Sequence, residues 1–238
     1  MLAAAVAFTA VFRKPLQKHP GIFYAIAVAL DLLLVVGSSL GLPVMLWRVV
    51  LQFHSRCLFA FALFAVVMFI GVLRNGSALK VALLPIRAEL SIFAAILAAG
   101  HILNFAVQYA LRLLGGADAA ILLAIVVAAM ITVLLVPLTI TSLKAVKRRM
   151  SAVSWKMLQR FAYLFWGLVF VHVLLILGPS AASGAATAIE SLAVYAVLFA
   201  AYAILRIYRA IADARARESG DAAALPALSS EDGAAAAI

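Results

Sequence analysis

Cysteine and negative charge are both scarce in this chain of 238 residues. Its one cysteine, Cys57, excludes an internal disulfide and any thiolate metal cluster. Charged residues make up only 12%, about half the share of an ordinary soluble domain. Nine of them are acidic and nineteen basic, for a formal charge of +10. No G-x-G-x-x-G turn occurs, and no polar stretch is long enough to form a nicotinamide-binding domain. Met1 leads straight into "LAAAVAFTAVF" with no basic region before it, which predicts no cleaved signal peptide.

Apolar residues fill the space that charge leaves. Hydrophobic side chains are 68% of the chain and the mean hydropathy is +1.18. No soluble fold hides that much apolar surface, so the sequence predicts a protein integral to a membrane. Crossing the hydrocarbon core takes about 20 apolar residues. Six runs qualify, near 21–42, 57–73, 90–111, 119–141, 161–178 and 187–205. They are too long and too unalternating for barrel strands, so they read as α-helices. The expected fold is therefore all-α, a six-helix transmembrane bundle, with an extra short hydrophobic segment at 2–12. That segment and a basic loop occupy 1–20, the bundle 21–205, and a largely disordered tail 206–238. "PVMLWRVVLQFHSR" (43–56) mixes Trp47, Arg48 and His54 with aliphatics, as a helix lying in the interface would.

The basic residues set the orientation. Segments 13–20, 74–89, 142–160 and the tail after 205 hold sixteen of the nineteen, leaving only Arg48, Arg56 and Arg112 on the opposite side. By the positive-inside rule these segments are cytoplasmic, and so is the C-terminus. The same asymmetry accounts for the net charge and argues against nucleic-acid binding. A bacterial inner membrane is the expected location.

Ionisable groups inside a bilayer are costly and usually functional. His101 lies fourteen residues beyond Arg87, about 21 Å up its helix. His172 lies twelve residues beyond Arg160, about 18 Å up its own. Both helices run outward, so the two imidazoles reach nearly the same depth. Paired neutral imidazoles on facing helices are what a b-type haem requires as axial ligands. The plainer explanation is a hydrogen bond from each to a neighbouring helix, with Asn104 and Gln108 continuing a polar stripe from His101.

Two stretches carry a resemblance. "PIRAELSIFAAILAAGH" (85–101) is similar to the segment in which a basic residue after a proline precedes a third-helix haem histidine. "LTITSLKAVKRRMSAVSWKMLQRFAYLFWGLVFVH" (138–172) resembles the loop and fifth helix of the same domain, with an Arg pair, a Trp, "L-x-R-x-x-Y" and a terminal His. The family is the ferric-reductase-like transmembrane domain, which includes haem-binding membrane subunits of bacterial methionine sulfoxide reductase systems. The resemblance covers roughly 21–205. It implies a haem b electron-transfer protein with His101 and His172 holding the iron. Many members have "L-H-R" where this chain has "L-Q-R", so Gln159 stands in place of a histidine near the inner face. One haem is therefore expected, on the outer side.

With no nicotinamide domain on these residues, the expected role is a relay rather than a self-sufficient reductase. Electrons would come from quinol or a cytoplasmic flavin reductase and go to an extracytoplasmic reductase of molybdenum or flavin type. On the inner side, Arg87, Trp155 and Arg160 are candidates to hold FMN or a quinone. The basic loop 142–160 is explained equally by topology and attraction to anionic lipid. Asp31 reads as a buried, bonded carboxyl or a proton-transfer group, and Glu190 as a helix cap or a partner of Arg112. An alternative of another class is a transporter or channel with His101, Asn104, Gln108 and Asp31 along a polar path and no cofactor. A third is an assembly subunit that binds none.

Overall fold

The computed structural model describes residues 1–36, 45, 56–116 and 119–235, with side chains in that set except at 35 and beyond 216. The interfacial helix expected at 43–56, with Trp47, Arg48 and His54, lies outside the described residues.

Every element among the described residues is helical, as a backbone facing lipid must be to satisfy its own hydrogen bonds. In chain order they are α1 (Leu2–Lys18), α2 (Pro20–Val36), α3 (Leu58–Ile70), α4 (Ala78–Leu83), a 3-10 turn (Leu84–Ile86), α5 (Arg87–Leu114), α6 (Ala119–Ser142), α7 (Lys144–Lys147), α8 (Ala152–Gln159), α9 (Phe161–Ala182) and α10 (Ala186–Ala235). Four stretches are long and apolar enough to cross a membrane: Ala78–Leu114, Ala119–Ser142, Ala152–Ala182 and Ala186–Ala216. Pro20–Leu34 and Leu58–Ile70 are shorter apolar helices. Leu103, Val107, Leu111, Val126, Val133, Val194, Val197 and Ile204 all stand exposed on these helices. This is the surface of a multi-pass membrane protein, apolar outward as well as inward.

Local chemistry explains the helix boundaries. Ser77 caps α4 by accepting from the Lys80 N–H, and Ser151 caps α8 by accepting from the Ser154 N–H. The hydroxyls inside α6 are satisfied on their own helix, Thr139 donating to the Leu135 carbonyl at 2.7 Å and Ser142 to Leu138 at 2.8 Å. Gly184, at φ +86°, supplies the left-handed turn that reverses the chain between α9 and α10.

α5 is the central helix, packed by α2, α3 and α6; α9 packs on α6 and α10. The larger core runs along α1, α2, α3 and α5 and is built round aromatics, with Phe8 stacked on Phe93 at 5.4 Å. A second core joins α3, α9 and α10 through Trp166, stacked on Phe61 at 5.3 Å and Phe199 at 4.5 Å.

Two expectations change. Residues 13–18, read as a basic loop, instead complete α1, and only His19 separates it from α2. The helix buries Ala5, Thr9 and Leu16 against the core. Its 17 residues extend about 26 Å. Met1 and Leu2 lie beside Leu58 and Glu190, where α3 and α10 start, while its far end packs on the 3-10 turn at the start of α5. The segment at 2–12 is thus part of a helix reaching from one end of the bundle to the other. Arg13, Lys14 and Lys18 mask this in the sequence by breaking the apolar run. The backbone of α10 also keeps helical form to Ala235, beyond the expected boundary at 205. Alanine, the strongest helix former, is abundant there.

Candidate functional site

His101 and His172 stand near the middle of α5 and α9, and α6 packs against both of those helices. The His101 ring lies 4.9 Å from the Phe105 ring, one turn further along α5. His172 is hydrogen-bonded to the main chain of Ala124, a buried residue of α6. The two histidines are near enough for His101 to act on the charge of His172. The Nδ1 of His172 is buried and has no hydrogen-bond partner. Leaving an imidazole nitrogen in that state inside an apolar bundle costs free energy on the order of 1–3 kcal/mol.

The polar stripe beyond His101 turns back on its own helix. Gln108 Nε2 donates to the Asn104 carbonyl at 3.4 Å, and Gln108 is exposed. Asp31 is only 8% exposed on α2 and its charge reaches the Cys57 thiol at the start of α3. Glu190 borders a cavity of about 520 Å³ at the end of the bundle away from the basic loops, with Met1, Phe61, Ser191 and Tyr195. Arg112, its expected partner, lies instead 5.7 Å over the Tyr109 ring. Neither this cavity nor an apolar one of about 360 Å³ beside α6 is lined by the histidines. No group of three or more metal-ligating side chains occurs among the described residues.

The basic end is knitted together by polar contacts. Glu89 is 2% exposed, and its Oε1 lies 2.8 Å from Lys144 Nζ. Its Oε2 has no partner. Trp155 Nε1 donates to the Thr141 carbonyl at 3.0 Å, with Lys147 Nζ 4.2 Å over its ring. Gln159 Nε2 donates to Thr141 Oγ1 at 3.2 Å. Both contacts tie α8 back to the end of α6. Arg160 is exposed at the junction of α8 and α9, while Arg87, at the start of α5, lies near Tyr163 and Tyr202. The three candidates for an inner-side cofactor therefore have separate surroundings: Trp155 holds the loop, Arg160 faces outward, and Arg87 belongs to another cluster.

That cluster is one the sequence reading missed. Lys80, on α4, donates to the Leu73 carbonyl at 3.0 Å and to Asn75 Oδ1 at 2.8 Å. Arg209, Arg87, Arg206 and Asp213 all lie near it. Arg209 Nη2 is 2.7 Å from Asp213 Oδ1, and Arg206 lies 5.0 Å over the Tyr163 ring. The spacing of Arg206, Arg209 and Asp213 on one helix face was the available signal.

A protein of Treponema pallidum (strain Nichols), described as uncharacterized, is 36% identical over 215 residues. The match takes in 88% of this chain, which spans 59% of that relative's length. No protein-family model matches the chain, and no solved structure does.

Proposed function

We propose that the chain is a haem b membrane subunit of the ferric-reductase-like kind, relaying electrons between redox partners on opposite sides of a bacterial inner membrane. The observation that carries this reading is the buried, unpartnered Nδ1 of His172 with a second imidazole, His101, within electrostatic range. Those residues fit a haem iron. A buried imidazole without a full set of hydrogen bonds is a ligand in waiting, and iron coordination by two neutral histidines relieves its cost. His101 and His172 would hold the iron, and the haem, when bound, would supply one-electron chemistry.

The rest of the chain supports that role in physical terms. Ala124 gives His172 a main-chain contact on α6, which fixes the orientation of the ring. The helices that carry and flank the two histidines, α5, α6 and α9, are rich in aliphatic side chains, and an apolar site raises the weight of every charge placed in it. Nearer the basic end the positions for a second axial pair hold no histidine: Gln159, bonded to Thr141, stands where many members have one, and the start of α5 offers Arg87 and Glu89, the latter paired with Lys144. One haem per chain follows. By the positive-inside rule the basic end faces the cytoplasm, and six helices plus α1 cross the membrane. The donor is quinol or a flavin reductase on that side; the acceptor is an extracytoplasmic reductase of molybdenum or flavin type.

The test is haem retention in purified variants. His101→Ala and His172→Ala each lose haem, whereas His19→Ala and His54→Ala keep the wild-type content. Wild-type haem content in either of the first two variants would overturn the axial assignment.

A further inference from the structure

Four cations meet where α4, α5 and α10 come together at the basic end. Lys80 Nζ donates to Asn75 Oδ1 at 2.8 Å, Asn75 Nδ2 to Asp213 Oδ1 at 3.4 Å, and Asp213 pairs with Arg209 at 2.7 Å, while Arg206 lies 5.0 Å over the Tyr163 ring and Arg87 is near enough to act on Lys80. That is an excess of three positive charges in one place. The usual pattern at a basic membrane face is different: Arg148 and Arg149 on the loop after α6 are exposed to solvent. In the cluster, by contrast, the Arg209 side chain is 14% exposed, and its Nε is buried without a partner. Asp213 occupies only its Nη2. Like charges held together in partial burial repel, and a guanidinium donor with nothing to bond is costly. Topology alone demands neither. Both are relieved by an anion that accepts several hydrogen bonds at once.

We propose that Lys80, Arg87, Arg206 and Arg209 form a binding site for a phosphate group, and that the group is the headgroup phosphate of an anionic phospholipid. A phosphate matches the fork of a guanidinium bidentately and takes further donors on its other oxygens. The lipid source follows from what borders the site. Ile204, Leu205, Ile207 and Tyr208 are exposed on α10 on both sides of Arg206, so apolar surface for an acyl chain starts where the cations end. Basic pockets between helices on this face of a membrane protein suit such headgroups. The site is independent of haem and rests only on the multi-pass membrane reading.

The experiment uses the full chain in neutral detergent, stripped of lipid, with thermal unfolding followed against added phosphatidylglycerol, phosphatidylcholine or inorganic phosphate. Native mass spectrometry counts the lipids retained. Phosphatidylglycerol raises the unfolding midpoint and stays bound at one per chain, while phosphatidylcholine does neither. Arg209→Gln and Lys80→Gln each weaken phosphatidylglycerol binding roughly tenfold, the loss of one charge-assisted contact. Arg149→Gln, outside the cluster, leaves it unchanged. If inorganic phosphate gives the same midpoint rise, and the two variants lose it, the phosphate site stands and its source is soluble. No rise with either anion in the wild type overturns the site. So does an equal rise in wild type, Arg209→Gln and Lys80→Gln. Should one variant fail to fold, the other and the lipid count on the wild type still decide.

Discussion

The basic end of the bundle and its histidine-bearing middle handle polar groups in opposite ways. At the basic end most partners come from within the chain: Trp155 and Gln159 bond Thr141, Lys144 reaches Glu89, and Lys80 bonds Leu73 and Asn75, leaving single atoms of Glu89 and Arg209 bare. In the middle, His172 keeps a buried nitrogen with no partner although the surrounding helices are packed. Glu89 Oε2, Arg209 Nε and Trp166 Nε1 are bare too, but each belongs to a side chain that is otherwise paired or stacked, whereas the bare atom of His172 is a ready metal ligand. A buried polar atom without a partner normally has a reason, and here a second imidazole lies close at hand.

Substitutions sharpen that contrast. The largest effect belongs to His172→Leu. It removes the orphaned nitrogen and keeps an apolar side chain, so the haem-free protein holds or gains thermal stability while the haem-loaded form is lost altogether. Unfolding midpoints measured with and without haem check both halves. A large loss of stability in the haem-free variant would instead make His172 a packing residue with a hidden bond.

Next comes Lys144→Ala, which strips the buried Glu89 carboxylate of its ion-pair partner and costs about 1–3 kcal/mol in denaturant unfolding. Adding Glu89→Gln to that variant returns part of the loss, since a neutral amide is cheaper to bury than an unpaired charge. No recovery in the double variant would place the stabilisation elsewhere. Gln159→Ala removes a single neutral hydrogen bond and costs about 1 kcal/mol. Haem content, by pyridine haemochrome, stays at the wild-type value in that variant. The smallest change is Lys147→Ala, which gives up a cation–π contact on an exposed loop worth about 0.5–1 kcal/mol. Haem loss in either loop variant would join the two regions that the account keeps apart.

Much of the fold was legible because lipid imposes one rule on every crossing segment. Runs read at 119–141 and 161–178 correspond to Ala119–Ser142 and Phe161–Ala182. α1 was not legible as a helix reaching across the bundle. Its Arg13, Lys14 and Lys18 interrupt the hydropathy, and its inward face of Ala5, Thr9 and Leu16 is small and partly polar. The histidine pair could be found because helical rise converts sequence distance into depth. The cation cluster could not. Arg206 and Arg209 are far along the chain from Lys80 and Arg87, and only the fold brings the start of α5 and the later part of α10 together.

The central claim is most directly tested by a dithionite-reduced minus oxidised spectrum of the purified protein, with haem counted against chain. The account predicts sharp b-type bands at one haem per chain. A count of two would contradict the reading of Gln159, and no haem after expression with adequate haem supply would contradict the relay itself. In that last case His101 and His172 become groups of a polar path or of helix packing.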